Sequence, residues 1–142
     1  LNFRLTTAIF TILATASPAT TVEIRNDRGG FLHERILEID TLRYQGHAVA
    51  IKGQVCFSTC TMYLGLPQTC VDPGTIFGFH GPSRNGRALP AEQFEYFSRV
   101  MADYYPAMLA EWFMETGRNR ISGIYKIRGR EIISMGAAAA CE

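Results

Sequence analysis

Two side chains could together perform nucleophilic acyl transfer. Ser58 lies in Cys56-Phe57-Ser58-Thr59-Cys60, where an apolar run gives way to a helical pattern. His80 closes a second apolar run, Thr75 to Phe79, 22 residues further on. A serine hydroxyl is a poor nucleophile until a neighbouring base accepts its proton, and an imidazole with an ordinary pKa of about 6.5 suits that task. The tetrahedral intermediate then needs N–H donors for its oxyanion. The amide of Thr59, at a helix start beside the nucleophile, is one candidate. The amide of Gly30 is the other, because Gly29-Gly30 lets backbone approach a substrate closely at the head of the next helix. This chemistry calls for no metal and no organic cofactor.

These residues depend on a βα alternation for their placement. A first helix is predicted over residues 1–20, with Leu5, Ile9, Ile12 and Leu13 at helical spacing and Pro18 as its stop. The competing reading of that segment is a signal peptide, with Ala14-Thr15-Ala16 as its cleavage site. Thr21 to Ile24 is a short strand ending in the turn Asn26 to Gly30. The spacing predicts a helix over Phe31 to Arg43, a strand over His47 to Lys52 and a buried helix over Thr59 to Leu66. Cys70 to Gly74 reads as a turn and Thr75 to Phe79 as a strand. One long helix is expected from Pro90-Ala91-Glu92 to Glu115, kinked by Pro106. A strand over Gly123 to Ile127 and a short helix over Arg130 to Met135 complete the order. Such alternation indicates an α/β domain with a largely parallel sheet.

Composition narrows the function classes. A length of 142 residues suits one domain, and a net charge of +1 carries no nucleic-acid footprint. No apolar run reaches the length of an integral membrane span. Cys56, Cys60, Cys70 and Cys141 allow three disulfide connectivities, or four buried thiols. Their spacing lacks the paired knuckles of a zinc site. They favour an oxidising compartment, periplasmic or exported, over the cytosol. A Ser-Lys dyad is poorly served, since the only lysines are Lys52, on the strand before the nucleophile, and the remote Lys126. His33 reads as a solvated helix residue and His47 as a surface residue at a strand start. The stripe from Phe94 to Trp112 reads as core or subunit contact.

In order and spacing, Asn26 to Gly30, Gly53-Gln54 with Ser58, Pro73-Gly74-Thr75 and Phe79 to Pro82 resemble the proteolytic subunit of Clp protease and its crotonase-like superfamily. The nearest likeness is to an uncharacterised, often exported bacterial branch with its nucleophile in Cys-x-Ser-x-Cys. Over residues 1–142 the resemblance implies a single ClpP/crotonase-like domain whose opening strand is missing ahead of Leu1. It implies a serine peptidase acting on a peptide or protein substrate that lies extended beside Gly29 to Phe31, by strand addition. It also implies a homo-oligomer assembled through the helix over residues 91–117. The family's third catalytic residue, an Asp, is expected near Asn119 to Ser122, where this chain has no acid. Asn119 or Ser122 is then the candidate third member. Arg28 stands where the family has Pro. The alternative is a catalytically degenerate peptide-binding or assembly module.

Overall fold

The computed structural model describes residues 19–142. The expected first helix, or signal peptide, falls almost wholly outside them. The rest is a mixed α/β fold around one curled sheet. In chain order its elements are β1 (Thr21–Asp27), α1 (Leu32–Tyr44), β2 (Ala48–Phe57), a 3-10 helix (Ser58–Gly65), β3 (Thr69–Val71) and β4 (Ile76–Phe79). Then come α2 (Ala91–Ala102), α3 (Ala107–Glu115), a 3-10 turn (Gly117–Asn119), β5 (Tyr125–Arg128), α4 (Gly129–Ser134) and β6 (Ala139–Ala140).

The sheet curls because β2 serves different neighbours at its two ends. Its first half pairs with β1 on one side and β3 on the other; its second half, Val55 to Phe57, pairs with β4. Strands β3 and β4 lie end to end along β2, separated by a turn. Asp72 holds that turn, its side chain accepting the Gly74 amide at 2.7 Å and its carbonyl the Thr75 amide at 3.1 Å. β6 adds to β3 in parallel, and β5 adds to β4 as the antiparallel edge. Among the described residues, four of the five strand pairings are therefore parallel, as the alternation predicted.

Two expectations change at the first crossover. The predicted first turn at Asn26 belongs to β1, and β2 runs straight through Gly53-Gln54 to Phe57. A bulge makes both true. Arg25 pairs with Lys52 but Asp27 pairs with Cys56, so β2 carries two extra residues there. Gly53 accommodates them at φ +87°, and the Asn26 side chain accepts the Gln54 amide at 2.8 Å. The bulge twists the end of β1 and brings Asp27 to Gly30 alongside the end of β2.

The long helix is two helices. Asp103 to Pro106 interrupts it, and Pro106 caps α3 from outside with φ −57° and ψ 148°. A proline lacks the N–H that would continue the ladder and disfavours helical backbone at the preceding Tyr105. The break also lets the chain pass over Gly65, where a Cβ would stand 2.1 Å from the Tyr104 carbonyl oxygen. β3 and β6 escaped the sequence reading because they are three and two residues long, too short to show a period.

The core lies between the sheet and the helices. Val49, Ile51, Phe77 and Phe79 from the strands meet Ile39, Leu109, Phe113 and Ile132 from the helices, all essentially buried. Phe79 meets Tyr105 and Trp112 edge to face, at 5.8 and 5.1 Å between centroids. Of the aromatic stripe, Met101 is core, Tyr104 and Trp112 pack against it, Phe94 and Phe97 are half-buried, and Met108 is exposed.

Candidate active site

Ser58 leaves β2 at φ +58°, a left-handed conformation that costs an L-residue about 1–2 kcal/mol. The surroundings hold it there. Cys56 and Cys60 bridge across it with Cα atoms 5.3 Å apart. The Thr61 hydroxyl donates to the Ser58 carbonyl at 2.7 Å and, on its other side, meets the Tyr105 hydroxyl at 2.7 Å. Since the Thr61 proton is committed to the carbonyl, Tyr105 donates in that second bond. Burial pushes the Tyr105 hydroxyl up, well above its ordinary value, so it keeps the proton it donates.

His80 follows β4, which pairs with the end of β2 that carries Ser58. Its Nε2 lies 2.8 Å from Ser58 Oγ and its Nδ1 lies 2.7 Å from the Gly81 carbonyl oxygen. A carbonyl can only accept, so Nδ1 carries the proton and the Nε2 lone pair faces the serine. That is the tautomer a general base requires. Gly81 is fixed in turn: its amide donates to the Arg120 carbonyl at 2.9 Å, and a Cβ on it would stand 2.1 Å from the Arg118 carbonyl oxygen. The Arg118 guanidinium reaches Glu95 of α2 at 2.7 Å, and its Nε donates to the Met114 carbonyl.

Gly29 lies against the nucleophile. A Cβ on Gly29, which has φ +94°, would stand 2.5 Å from Ser58 Cβ and 2.9 Å from its Oγ. Only glycine fits. Gly30 faces open space, and its carbonyl receives the Thr59 hydroxyl at 3.4 Å. The Gly30 amide has no acceptor among the described residues, and the Thr59 amide lies in the first turn of the 3-10 helix, ahead of its first internal hydrogen bond. Both remain available to an oxyanion.

Asp27 anchors this loop. One carboxylate oxygen accepts the Gly29 amide at 2.7 Å and the other accepts Arg35 Nη2 at 2.6 Å. Arg35 also donates to the Tyr63 hydroxyl and reaches Glu38 at 3.0 Å. Burial, and then Glu38, raise the Tyr63 hydroxyl above its ordinary value against the opposing pull of Arg35. Neither Asp27 nor Arg35 was singled out from the sequence. An Asp two residues before a glycine in a turn, and an Arg on the face shared with Ile39, were the available signals.

Ser58 and His80 open into a cleft of about 670 Å³. Leu32, Leu89, Phe97 and Met101 give it apolar walls, while His33, Arg84 and Gln93 add polar groups. His33 is exposed on α1, as expected, and also borders the cleft. Phe31, expected along the substrate, is largely exposed at the cleft and extended, with φ −69° and ψ 135°; Gly29 is not extended, and residues 28–31 form no strand.

No protein-family model matches the chain, and no curated protein matches it.

The remaining candidates lie elsewhere. Asn119 donates to the Glu115 carbonyl at 2.6 Å, and Ser122 is exposed with no hydrogen bond among the described residues. Neither meets the imidazole, because the Gly81 carbonyl occupies Nδ1. The 118–120 segment does support the base, but through backbone. Lys52 pairs with Glu23 of β1 at 3.8 Å, and His47 Nδ1 meets Thr20 at the start of β2. The Arg28 guanidinium stacks on the Phe57 ring, 5.6 Å from its centroid. The cysteines form Cys56–Cys60 and Cys70–Cys141, which leaves no free thiolate for metal. Among the described residues no group of three or more His, Cys, Asp or Glu side chains converges.

Proposed function

We propose that this chain is a serine hydrolase of the peptidase kind, built on a fold like that of the Clp proteolytic subunit and the crotonases. The observation that carries the reading is the 2.8 Å contact between Ser58 Oγ and His80 Nε2, with Gly29 against the same serine. Ser58 Oγ attacks the scissile carbonyl while His80 Nε2 takes its proton. The Gly30 and Thr59 amides receive the oxyanion. His80 returns the proton to the leaving amine, which departs and leaves an acyl ester on Ser58. Water then attacks that ester, with His80 as base, and the carboxylic acid is released as Ser58 recovers its proton.

The peptide lies beside Gly29 to Phe31, where the extended backbone of Phe31 supports strand addition. Exposed Tyr96 and Met108 on α2 and α3 suit a homo-oligomeric contact. Two disulfides suit an oxidising compartment. Among the described residues no helix is long and apolar enough to cross a membrane.

One observation favours the second reading, a non-catalytic peptide-binding or assembly module. A carbonyl on Nδ1 fixes the tautomer but lacks the negative charge that stabilises an imidazolium. Fluorophosphonate labelling separates the two. The hydrolase reading expects the wild-type protein to label and both Ser58→Ala and His80→Ala to resist. A folded wild-type protein that does not label supports the binding module.

A further inference from the structure

At the edge of the cleft a tight hairpin carries two exposed cations, Arg84 on the cleft wall and Arg87 beside an adjoining hollow. Arg84 and Arg87 exchange both backbone hydrogen bonds, each 3.0 Å, across the two-residue loop Asn85-Gly86. Asn85 at φ +52° and Gly86 at φ +74° give that loop the doubly left-handed form of a tight hairpin turn. Residues directly opposed in such a pair project to the same face. Like charges in that position repel, so the arrangement works against the hairpin.

Solvent screens the repulsion, since both side chains are exposed, but no carboxylate offsets it. Neither guanidinium makes an ion pair among the described residues; Arg28, Arg120, Arg128 and Arg130 share that condition, while Arg25, Arg35, Arg43, Arg99 and Arg118 are paired. No Asp or Glu lines the Ser58 cleft or the adjoining hollow of about 430 Å³ on the other side of the hairpin. Arg84 lines both spaces, and Arg87 lines the second. A locally unfavourable charge pair, held by well-formed turn chemistry at the edge of a reactive cleft, is the pattern expected where a ligand supplies the missing charge.

We propose that the Arg84–Arg87 hairpin is a carboxylate-recognition element, and that the Ser58 cleft takes peptides carrying a carboxylate together with apolar side chains. The proposal deepens the hydrolase reading and rests on it for the reaction, though not for binding. Guanidinium groups suit a carboxylate because their parallel N–H donors match its two oxygens. The carboxylate is that of an acidic side chain or of a free C-terminus.

The test measures binding apart from chemistry. Three fluorescent hexapeptides built on leucine and phenylalanine are titrated into Ser58→Ala protein by anisotropy. One carries an internal Glu with an amidated C-terminus, one has neutral side chains and a free C-terminus, and one is neutral and amidated. At least one carboxylate peptide is expected to bind about ten-fold tighter than the neutral one. Which one does so identifies the source of the carboxylate. The preference should weaken as salt is raised, vanish in Ser58→Ala/Arg84→Gln/Arg87→Gln protein and survive in part with lysine at both positions. Equal binding of all three peptides, no binding of any, or a preference untouched by the double glutamine change would overturn the proposal. Wild-type fluorophosphonate labelling is read in parallel. A carboxylate preference without labelling would overturn the hydrolase reading and leave the recognition element standing.

Discussion

At the scale of single residues the site is held in strain by its neighbours. Ser58 keeps a left-handed backbone that glycine would adopt freely, so Ser58→Gly should unfold about 3 °C higher than Ser58→Ala, with neither variant able to label. Equal melting temperatures would show that the elbow stores no strain. Asp27 makes a different case. Removing its carboxylate frees the Gly29 amide and leaves the Arg35 guanidinium, which is mostly buried, without that partner. Asp27→Ala should cost about 3 kcal/mol of stability and slow labelling. Adding Arg35→Leu should recover stability without restoring the labelling rate, because the glycine loop stays unanchored. Recovery of both together would reduce Asp27 to a purely structural ion pair. The identity of Ser58, His80 and the glycines was legible from residue types. The Asp27 anchor was not, because its partner Arg35 lies across a turn and on a helix face that sequence periodicity assigns to apolar residues.

At the scale of elements, the histidine depends on a junction rather than on a third side chain. β4 delivers His80, and the segment after α3 clamps Gly81 so that its carbonyl holds Nδ1. Gly81→Ala should lower the labelling rate about 100-fold, since displacing a base by an ångström costs that much. A variant that folds and labels at the wild-type rate would remove the clamp from the account. The same junction should respond to acid. Arg118 first, and then Arg99, hold the Glu95 carboxyl below its ordinary range. A depressed folded value means the contribution is complete above the unfolded pKa and is lost as the pH falls through the folded one. Glu95→Gln should therefore flatten the acid limb of the stability curve, measured by thermal unfolding from pH 7 to pH 3, and leave the alkaline limb unchanged. An unaltered acid limb would mean that the exposed pair contributes nothing.

At the scale of the whole molecule, the disulfides divide the work between stability and site. Cys70–Cys141 closes a long loop, 71 residues apart in sequence, and ties β6 to the sheet. Loop-closure entropy puts its loss at about 4 kcal/mol, against about 2 kcal/mol for the four-residue Cys56–Cys60 loop. Replacing Cys70 and Cys141 with serine should lower the melting temperature more, while replacing Cys56 and Cys60 should lower the labelling rate more. The reverse order would mean that the Cys56–Cys60 bridge does not position Ser58. Both residues of that bridge are buried, so mild reductant should act on it only after the fold loosens.

The sequence by itself determined the α/β alternation of the longer elements and the largely parallel character of the sheet, and it offered Ser58 and His80 as candidate nucleophile and base. Those are local properties, written in hydrophobic period, turn residues and side-chain chemistry. Tertiary structure decided the rest. It set the Gly53 bulge that brings β1 to Ser58, the break before Pro106, the disulfide pairing and the Gly81 carbonyl as the partner of His80. Each of these depends on which backbone lies against which after the sheet curls. A backbone carbonyl is present at every position, so no residue type in the sequence marks the one that reaches the imidazole.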